Sequence, residues 1–326
     1  MIVPRLADLD QERLFGPQAA RTPDMQALWE WMAAQDAGLP EPTSLPPTTG
    51  RALADAINIR MRGETRADVL SFETIEGRGG PLGLKIVAPP GPPKGTILYL
   101  HGGGWCFGSF ETHDRVLRDL ALDTGRTLVA VDYRLAPEHP YPAGLDDCAA
   151  AWRWLLGRLG EARFPRPLAV AGDSAGANLA FALALREQSG GVAPDALVFL
   201  YGAFGADFDT RSYLRFAQGY GLTRQRMINF FRWYAPAPDL SDPCLVPLAA
   251  RDRELARLAP IYLNAAGLDP LLSDTLALVA RLERIGHPHR LALHEGLHHG
   301  FHQMSARLPQ ARRATAMIGA WLDEQG

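Results

Sequence analysis

The sequence has few cysteines and no long uninterrupted hydrophobic run. Its 326 residues include only Cys106, Cys148 and Cys244, which are far apart and odd in number. This spacing supports neither a disulfide framework nor the paired cysteines of a zinc knuckle, and it is typical of a reducing compartment. Polar residues interrupt the longest apolar stretch, PLAVAGDSAGANLAFALAL, so it does not resemble a membrane span. We therefore expect no disulfide and no transmembrane segment.

The sequence also lacks an excess of positive charge. It has 33 Lys and Arg against 36 Asp and Glu, which gives a formal net charge of -3 at pH 7. Nucleic-acid binding depends on neutralising phosphates with basic side chains, so this balance argues against a nucleic-acid partner. The N-terminal stretch MIVPRLADLDQERLFG is charged and has no apolar h-region, which argues against a secretory signal. We expect a cytoplasmic protein.

Short apolar runs alternate with helical patterns from about residue 70 to the C-terminus. The runs that predict strands are VLSFETIE, LGLKIVAP, GTILYL, TLVAVDY, PLAVAG, DALVFLY, PIYLNAA and RLALHE. Short apolar runs of this kind are typical of buried strands, and their alternation with helices predicts a parallel sheet with helices on both faces. The fold class is therefore α/β with a mostly parallel central sheet.

Two segments break this alternation. Residues 1–62 contain two helical patterns around a proline-rich stretch, and they predict a helical arm. Residues 203–258 separate two predicted strands and contain nine aromatic residues. So long and so aromatic an insertion is more typical of a lid over a site than of a plain connection. We expect an arm over 1–62, a core over 63–202 and 259–326, and a cap insertion over 203–258.

The motif GDSAG at residues 172–176 carries the clearest chemical signal. It follows the predicted strand PLAVA and precedes the helical pattern AGANLAFALAL. In this context G-x-S-x-G forms a nucleophile elbow, because the small Gly172 and Gly176 permit the strained turn that exposes the Ser174 hydroxyl. The start of the helix then offers unpaired N–H groups to an oxyanion. A serine that merely caps the helix is the alternative, and the context favours a nucleophile.

A second motif, HGGGW at residues 101–105, directly follows the predicted strand GTILYL. Consecutive glycines leave a loop without β-carbons, so its N–H groups can closely approach a tetrahedral intermediate. Glycines occur in any tight turn, and the motif alone says little. Placed after an earlier strand than GDSAG, it matches the oxyanion loop of lipases and esterases.

A serine nucleophile needs a base, and the base needs an orienting partner. In one known order of catalytic residues along the chain, the acid and the base both follow the serine, and each lies at the carboxyl end of a later strand. Asp269 follows PIYLNAA, and His299 follows RLALHE, so both stand in the required order. From the residues alone, however, His298 and His302 are open as alternative bases.

The stretch HEGLHHGFH, residues 294–302, also contains the zinc-protease pattern H-E-x-x-H. That pattern needs a helix, on which residues i and i+4 share one face. Here His294 and Glu295 end an alternating strand pattern and Gly296 follows, so a helix is not expected. We therefore predict no metal site.

Taken together, these motifs resemble those of the hormone-sensitive-lipase-like serine esterases of the α/β-hydrolase fold, often called bacterial family IV esterases. The resemblance runs from about residue 70 to the C-terminus. It rests on LHGGGW (100–105), DYRLAPEHPYPAGLDD (132–147), GDSAGAN (172–178), GLDPLLSD (267–274) and HHGF (298–301).

The resemblance implies specific roles for residues of this chain. The family histidine precedes Gly-Phe, which selects His299. The implied catalytic triad is Ser174, Asp269 and His299. The implied oxyanion hole is formed by Gly102, Gly103 and the amide of Ala175. The arm and the insertion would together form a helical cap, and family members often pair through the last strand and helix, which would make a homodimer.

The expected function is hydrolysis of short- to medium-chain acyl esters through an acyl-enzyme, with no metal or organic cofactor. The partner is a small-molecule ester. Because histidine must be neutral to act as a base, activity should fall on acidification. Two alternatives use the same fold. One is a ligand-binding receptor that keeps the pocket, and the other is an amidase or deacetylase with the same triad.

Overall fold

The computed structural model describes residues 2–3, 5–63, 69–188 and 190–325. Among these residues, nine strands form one sheet in the order β1-β9-β8-β7-β6-β4-β5-β3-β2. The strands are β1 (Ile2–Val3), β2 (Val69–Gly77), β3 (Gly80–Ala88), β4 (Thr96–Leu100), β5 (Thr127–Val131), β6 (Leu168–Asp173), β7 (Ala196–Leu200), β8 (Ile261–Leu268) and β9 (His289–His298).

The sheet is parallel from β5 through β9. The pairs β5–β4, β4–β6, β6–β7, β7–β8 and β8–β9 are parallel, whereas β2, β3 and β1 join antiparallel. All residues of β4, β5 and β7 are buried, as continuous apolar runs in a doubly covered sheet require. The α/β fold with a mostly parallel sheet is thereby confirmed.

Eleven α-helices surround the sheet in the described ranges. They are α1 (Gln11–Phe15), α2 (Pro23–Gln35), α3 (Pro47–Ile59), α4 (Asp114–Thr124), α5 (Ala143–Leu156), α6 (Ala175–Glu187), α7 (Arg211–Arg215), α8 (Arg224–Tyr234), α9 (Asp252–Leu255), α10 (Leu272–Arg284) and α11 (Pro309–Glu324). None of the helices in this part of the chain is long and apolar enough to cross a bilayer.

The core lies on both faces of the sheet. Because successive side chains of a strand point to opposite faces, β4 divides its residues between two clusters. Ile97 and Tyr99 pack with α4 and α11, whereas Leu98 and Leu100 pack with α5, α6 and α10. The carboxyl ends of the parallel strands are therefore held rigidly at one edge, where the loops that follow them meet.

The N-terminus differs from the purely helical arm expected for residues 1–62. Ile2 and Val3 pair with Leu291 and Ala292 and so extend the sheet at the β9 edge. Two residues are too few to produce a strand periodicity in the sequence. The pairing has a physical benefit, because it covers part of an edge that would otherwise present unpaired backbone groups.

The aromatic segment that follows β7 lies over the HGGGW loop. Phe230 of α8 packs edge to face on Phe107, with ring centroids 5.1 Å apart. Tyr234 stacks on Trp105 at 4.5 Å with an interplanar angle of 4°. Aromatic pairs in these geometries add to the energy of area burial. The segment is thus anchored directly on the loop after β4.

Candidate active site

The turn between β6 and α6 has the geometry of a nucleophile elbow. Ser174 has φ +56° and ψ -119°, and its side chain does not cap the helix. A β-carbon at Gly172 would lie 2.3 Å from the Gly176 carbonyl oxygen, and one at Gly176 would lie 1.9 Å from the Leu100 oxygen. Only glycines fit at these two positions, so the turn can be tight enough to present the serine hydroxyl.

The three residues of the expected triad come together at the ends of β6, β8 and β9. His299 Nε2 lies 2.9 Å from Ser174 Oγ, and His299 Nδ1 lies 2.8 Å from Asp269 Oδ2. Asp269 is 1% exposed, and its Oδ1 accepts a hydrogen bond from the Leu271 amide. Asp269 is therefore fixed by the backbone, and it orients the imidazole towards the serine.

The two other histidines that the sequence left open point elsewhere. His298 Nε2 accepts a hydrogen bond from Arg21 Nε, and His302 Nδ1 lies 3.2 Å from Thr315 Oγ1. Adjacent residues generally point in different directions, so His298 cannot share the position of His299. Of the three, only His299 contacts both a serine hydroxyl and a carboxylate.

The HGGGW loop requires a correction to the expected oxyanion donors. The Gly102 amide donates to the buried Asp173 Oδ1 at 2.8 Å and therefore cannot serve as a free donor. In the described part of the chain, the amides of Gly103, Gly104 and Ala175 have no hydrogen-bond acceptor. The assignment of Gly102 is contradicted by this contact, and Gly104 takes its place as a candidate.

Asp173 is a functional candidate that sequence reasoning missed. This carboxylate is 2% exposed, and besides the Gly102 amide it accepts from Tyr99 Oη at 2.8 Å and lies 3.4 Å from His113 Nε2. Burial alone would raise its pKa, but the charge and hydrogen bond of His113, with the other donors, lower the pKa to about 2. It thus stays ionised and holds the start of the glycine loop beside Ser174.

His113 completes this buried pair. Burial lowers its pKa, but the charge and hydrogen bond of Asp173, together with the Ser109 carbonyl and the charge of Asp55, outweigh burial, so the net shift is upward from the usual histidine value. Its Nδ1 lies 3.1 Å from the Ser109 carbonyl oxygen, and its Nε2 lies 3.4 Å from Asp173 Oδ2 and 2.7 Å from Gln303 Nε2. The signal in the sequence was Asp173, a carboxylate at the end of the otherwise apolar strand LAVAGD. A buried charge at such a position implies a buried partner.

A second buried carboxylate, Asp274, holds the chain where it leaves the sheet after β7. Its Oδ2 accepts from the amides of Phe204 and Gly205 at 3.1 and 2.8 Å. Burial raises its pKa to about 7, although those two amides oppose the shift, and the nearby Asp269 carboxylate adds to it. Asp274 is therefore a structural carboxyl group whose ionisation the fold disfavours.

Asp274→Asn should stabilise the protein at neutral and alkaline pH but not in acid. The folded pKa lies above the unfolded value of 3.8, so the folded state binds the extra proton and loses stability as pH rises from about 4 through 7. Asparagine mimics the protonated acid. We expect a gain of roughly 2–4 kcal/mol at pH 8 and little change at pH 4. Urea unfolding at both pH values measures it, and an equal effect at both would contradict the assignment.

A cavity of about 510 Å³ opens onto Ser174 and His299. Its walls come from four parts of the chain: the glycine loop, the first helices, the segment after β7 and the residues at and after the end of β9. Apolar lining residues include Trp29, Met32, Ile57, Leu222, Met227 and Phe230. The lining also contains polar and charged residues, among them Glu41, Arg226 and Gln303, and a cavity of this size with mixed apolar and polar walls is typical of a small-molecule site.

The stretch with the zinc-protease pattern is not helical. His294 to His298 continue strand β9, which has a register irregularity opposite Ala266 and Leu268. Within the ranges that the structure describes, no three His, Cys, Asp or Glu side chains are grouped to hold a metal ion.

Comparison with known proteins finds relatives over most of the chain. A family model described as an alpha/beta hydrolase fold matches residues 97–303. The chain is 38% identical over 248 residues to Esterase LipI of Mycobacterium tuberculosis, which covers 74% of this chain and 77% of that protein. It is 34% identical over 257 residues to an ethyl acetate hydrolase of Pseudomonas putida, with coverages of 76% and 80%.

A solved structure agrees with these sequence relatives. An ester hydrolase from the metagenome of Lake Arreo, complexed with a derivative of bipyridine phosphonate, matches with a TM-score of 0.86 and 31% identity. The match covers 92% of this chain and 97% of that one. The chain therefore belongs to the α/β-hydrolase fold family, among its hormone-sensitive-lipase-like carboxylesterases.

Proposed function

We propose that the protein is a serine carboxylesterase that hydrolyses short- to medium-chain acyl esters through an acyl-enzyme on Ser174. One observation carries the proposal: an unbroken chain of contacts from Ser174 Oγ through His299 to the buried Asp269, at the floor of an apolar cavity. Such a chain of nucleophile, base and orienting acid is what serine acyl transfer requires.

In the first step, His299 Nε2 removes the Ser174 proton as Oγ attacks the ester carbonyl carbon. Asp269 holds the proton on Nδ1, which keeps Nε2 free as the base and stabilises the imidazolium that forms. His299 then gives its proton to the leaving alcohol oxygen. In the second step, His299 activates a water that attacks the acyl-enzyme, and the carboxylic acid leaves as Ser174 regains its proton.

The negative charge on the carbonyl oxygen needs donors that are already in place. We assign this role to the amides of Gly103, Gly104 and Ala175, which lack other acceptors in the described chain and belong to the glycine loop and to the start of α6. Preorganised donors of this kind contribute one of the largest parts of the rate enhancement. Asp173 positions them, because it fixes Gly102 at the beginning of the same loop.

The cap is the part of the proposal that sets substrate size. We divide the chain into an arm over 1–62, a hydrolase core over 63–202 and 259–326, and an insertion over 203–258. Cavity residues from the arm, such as Trp29 and Ile57, and from the insertion, such as Met227, support a cap made by both. A cavity closed in by such bulky side chains favours short to medium acyl groups.

The substrate class can be tested with p-nitrophenyl esters from acetate to palmitate. We expect kcat/KM to peak among the short acyl chains and to fall steeply for the long ones, because bulky side chains of the arm and the insertion, such as Trp29 and Met227, wall the cavity and limit the length of chain that it can accept. Initial rates in dilute, detergent-free solution measure this. Equal efficiency on palmitate would contradict the size limit, and no hydrolysis by folded protein would contradict the esterase proposal.

A further inference from the structure

The proposed base, His299, lies on a short stretch of chain between two turns. Gly296 and Gly300 have positive φ angles of +74° and +75°, so the chain turns on each side of this stretch. The register of β9 against β8 is irregular here, and the last pair between the two strands is Leu268 with His298. The sheet gives this stretch little regular pairing, so its conformation also depends on contacts from outside the sheet.

Residues 20–22 of the arm lie directly against this stretch. The Thr22 amide donates to the Gly296 carbonyl oxygen at 3.2 Å. A β-carbon at Gly296 would lie 2.8 Å from the Thr22 nitrogen and 2.9 Å from the Ala20 carbonyl oxygen, so only glycine permits so close an approach. The arm therefore holds the turn that precedes His299.

Arg21 uses its guanidinium nitrogens on three separate parts of the chain. Nε donates to His298 Nε2 at 2.8 Å, and Nη1 donates to Gln26 Oε1 of α2 at 3.2 Å. Nη2 donates to the carbonyl oxygen of Gly219, in the insertion after β7. A guanidinium holds its donors in a rigid planar fork, so these contacts fix the three parts relative to one another. The arm, the insertion and the end of β9 thus meet at one side chain.

Two aromatic rings hold Arg21 and His298 in place. The Arg21 guanidinium carbon lies 4.9 Å from the ring centroid of Trp29 and 5.2 Å from that of Tyr220. The His298 ring meets the same two rings edge to face, at 5.1 and 5.8 Å. Trp29 belongs to the arm and Tyr220 to the insertion, so a movement of either segment would disturb His298, the residue next to the base.

Arg215 joins the same two segments without reaching β9. Its Nε and Nη2 donate to the carbonyl oxygens of Phe15 and Gly16 in the arm, at 3.1 and 3.3 Å. Its Nη1 donates to Tyr220 Oη at 3.3 Å. Both arginines therefore tether the arm to the insertion, but of these contacts only those of Arg21 extend to the end of β9.

We infer that Arg21 is a positioning residue for the proposed base. The guanidinium holds the His298 imidazole, and His298 holds the stretch between the two glycine turns so that His299 Nε2 stays directed at Ser174. This inference rests on the proposed esterase function and deepens it, because the base is then aligned only while the arm and the insertion are both in place. Arg21 is not among the residues that line the cavity, so it acts through His298 and not on the substrate.

Arg21→Met keeps a long side chain and removes the three donors. We expect kcat for p-nitrophenyl butyrate to fall by about 10- to 100-fold, because a small misplacement of a catalytic group has a large effect on rate. KM should stay within about threefold, since Arg21 makes no contact with the cavity. Arg215→Met is the matched control and should keep kcat within about twofold, because it leaves His298 held. Steady-state kinetics measures both variants, and urea unfolding checks that they are folded under assay conditions.

A double-mutant cycle separates positioning through His298 from a general loosening of the cap. His298→Phe fills the space between the aromatic rings but cannot accept from Arg21, so it should lower kcat by a similar factor. Arg21→Met added to His298→Phe should then lower kcat by less than about twofold more, because residues that act as one unit are not additive. If Arg21→Met does not fold, His298→Phe compared with Arg215→Met gives the same decision.

Three results would overturn the inference. One is wild-type kcat in Arg21→Met or in His298→Phe. Another is an equal loss of kcat in Arg215→Met, which would assign the effect to the tether between the arm and the insertion. The third is a double variant in which the two losses multiply, since the residues would then act independently.

A measurement on the resting protein distinguishes a failure of this inference from a failure of the proposed function. ¹⁵N NMR of histidine-labelled protein reports the protonation and hydrogen bonding of each imidazole nitrogen. Arg21→Met should shift the His299 resonances, assigned with His299→Gln, and Arg215→Met should leave them unchanged. Unchanged His299 resonances in Arg21→Met would overturn the inference. If the folded wild type hydrolyses no ester, the proposed function fails, and the NMR comparison still decides whether Arg21 orients His299.

Discussion

Ser174→Ala should lower kcat for ester hydrolysis by about 10⁶-fold, the loss typical of removing the nucleophile from a serine triad. Without Oγ there is no atom on which the acyl group can be carried, and His299 has no proton to take. Binding should change little, because the cavity walls are unaffected. KM for residual turnover, or Kd for a product carboxylate, should therefore stay within a fewfold range.

The fold of this variant should be intact. The Ser174 hydroxyl contacts His299 Nε2 and does not cap helix α6. The strain at φ +56° comes from the β-carbon, which alanine shares, so the free energy of unfolding should stay nearly unchanged. Unfolding in urea, followed by circular dichroism, would show this and would separate a chemical defect from a folding defect.

Cys106→Ala is the matched control, because this thiol lies beside the glycine loop and is the rival nucleophile. Burial raises the pKa of Cys106 far above its usual value, and its Sγ contacts the Phe230 carbonyl oxygen. It should keep wild-type activity and still be labelled by an alkylphosphonate, whereas Ser174→Ala should not be labelled. Labelling of Ser174→Ala, with activity retained, would assign the nucleophile elsewhere.

The fold could be predicted from the sequence because its signals are local. Each parallel strand is a short apolar run, and each run lies within a few residues of the observed strand. For example, TLVAVDY predicts β5, which spans Thr127–Val131. GDSAG was informative for the same reason, since the strand, the turn and the helix that give it meaning are contiguous. The strand Ile2–Val3 was missed because two residues give no local periodicity, and only its pairing with Leu291 and Ala292 defines it.

The parts of the site that the sequence did not predict depend on contacts between distant segments. Gly102 looked like an oxyanion donor until Asp173, 71 residues away, proved to accept its amide hydrogen. Likewise, the residues alone left His298 open as a base and only the family resemblance selected His299; the contact that occupies His298 comes from Arg21, 277 residues earlier in the chain. A motif specifies which residue types are present, but the tertiary contacts determine which of their hydrogen-bonding groups already have a partner.

Asp269→Asn should lower kcat by about 10⁴-fold at neutral pH, with KM little changed. The carboxylate accepts a hydrogen bond from the Nδ1–H group of His299, so it keeps the lone pair of Nε2 directed at Ser174. In the variant, the asparagine carbonyl oxygen would still accept the hydrogen bond from the Leu271 amide, so its NH₂ group would point towards His299 Nδ1. Nδ1 must then accept, the hydrogen moves to Nε2, and the base has no lone pair for the serine proton.

The neighbouring carboxylate provides a control for this variant. Asp274 is also buried and lies five residues further on, but it binds backbone amides and does not contact His299. Asp274→Asn should therefore keep kcat and change the pH dependence of stability. Asp269→Asn should instead lower kcat and leave the pH dependence of stability nearly unchanged. Steady-state kinetics and urea unfolding on both variants measure the two effects. If both variants lost activity equally, the loss would come from disturbing the loop, and the orienting role of Asp269 would be refuted.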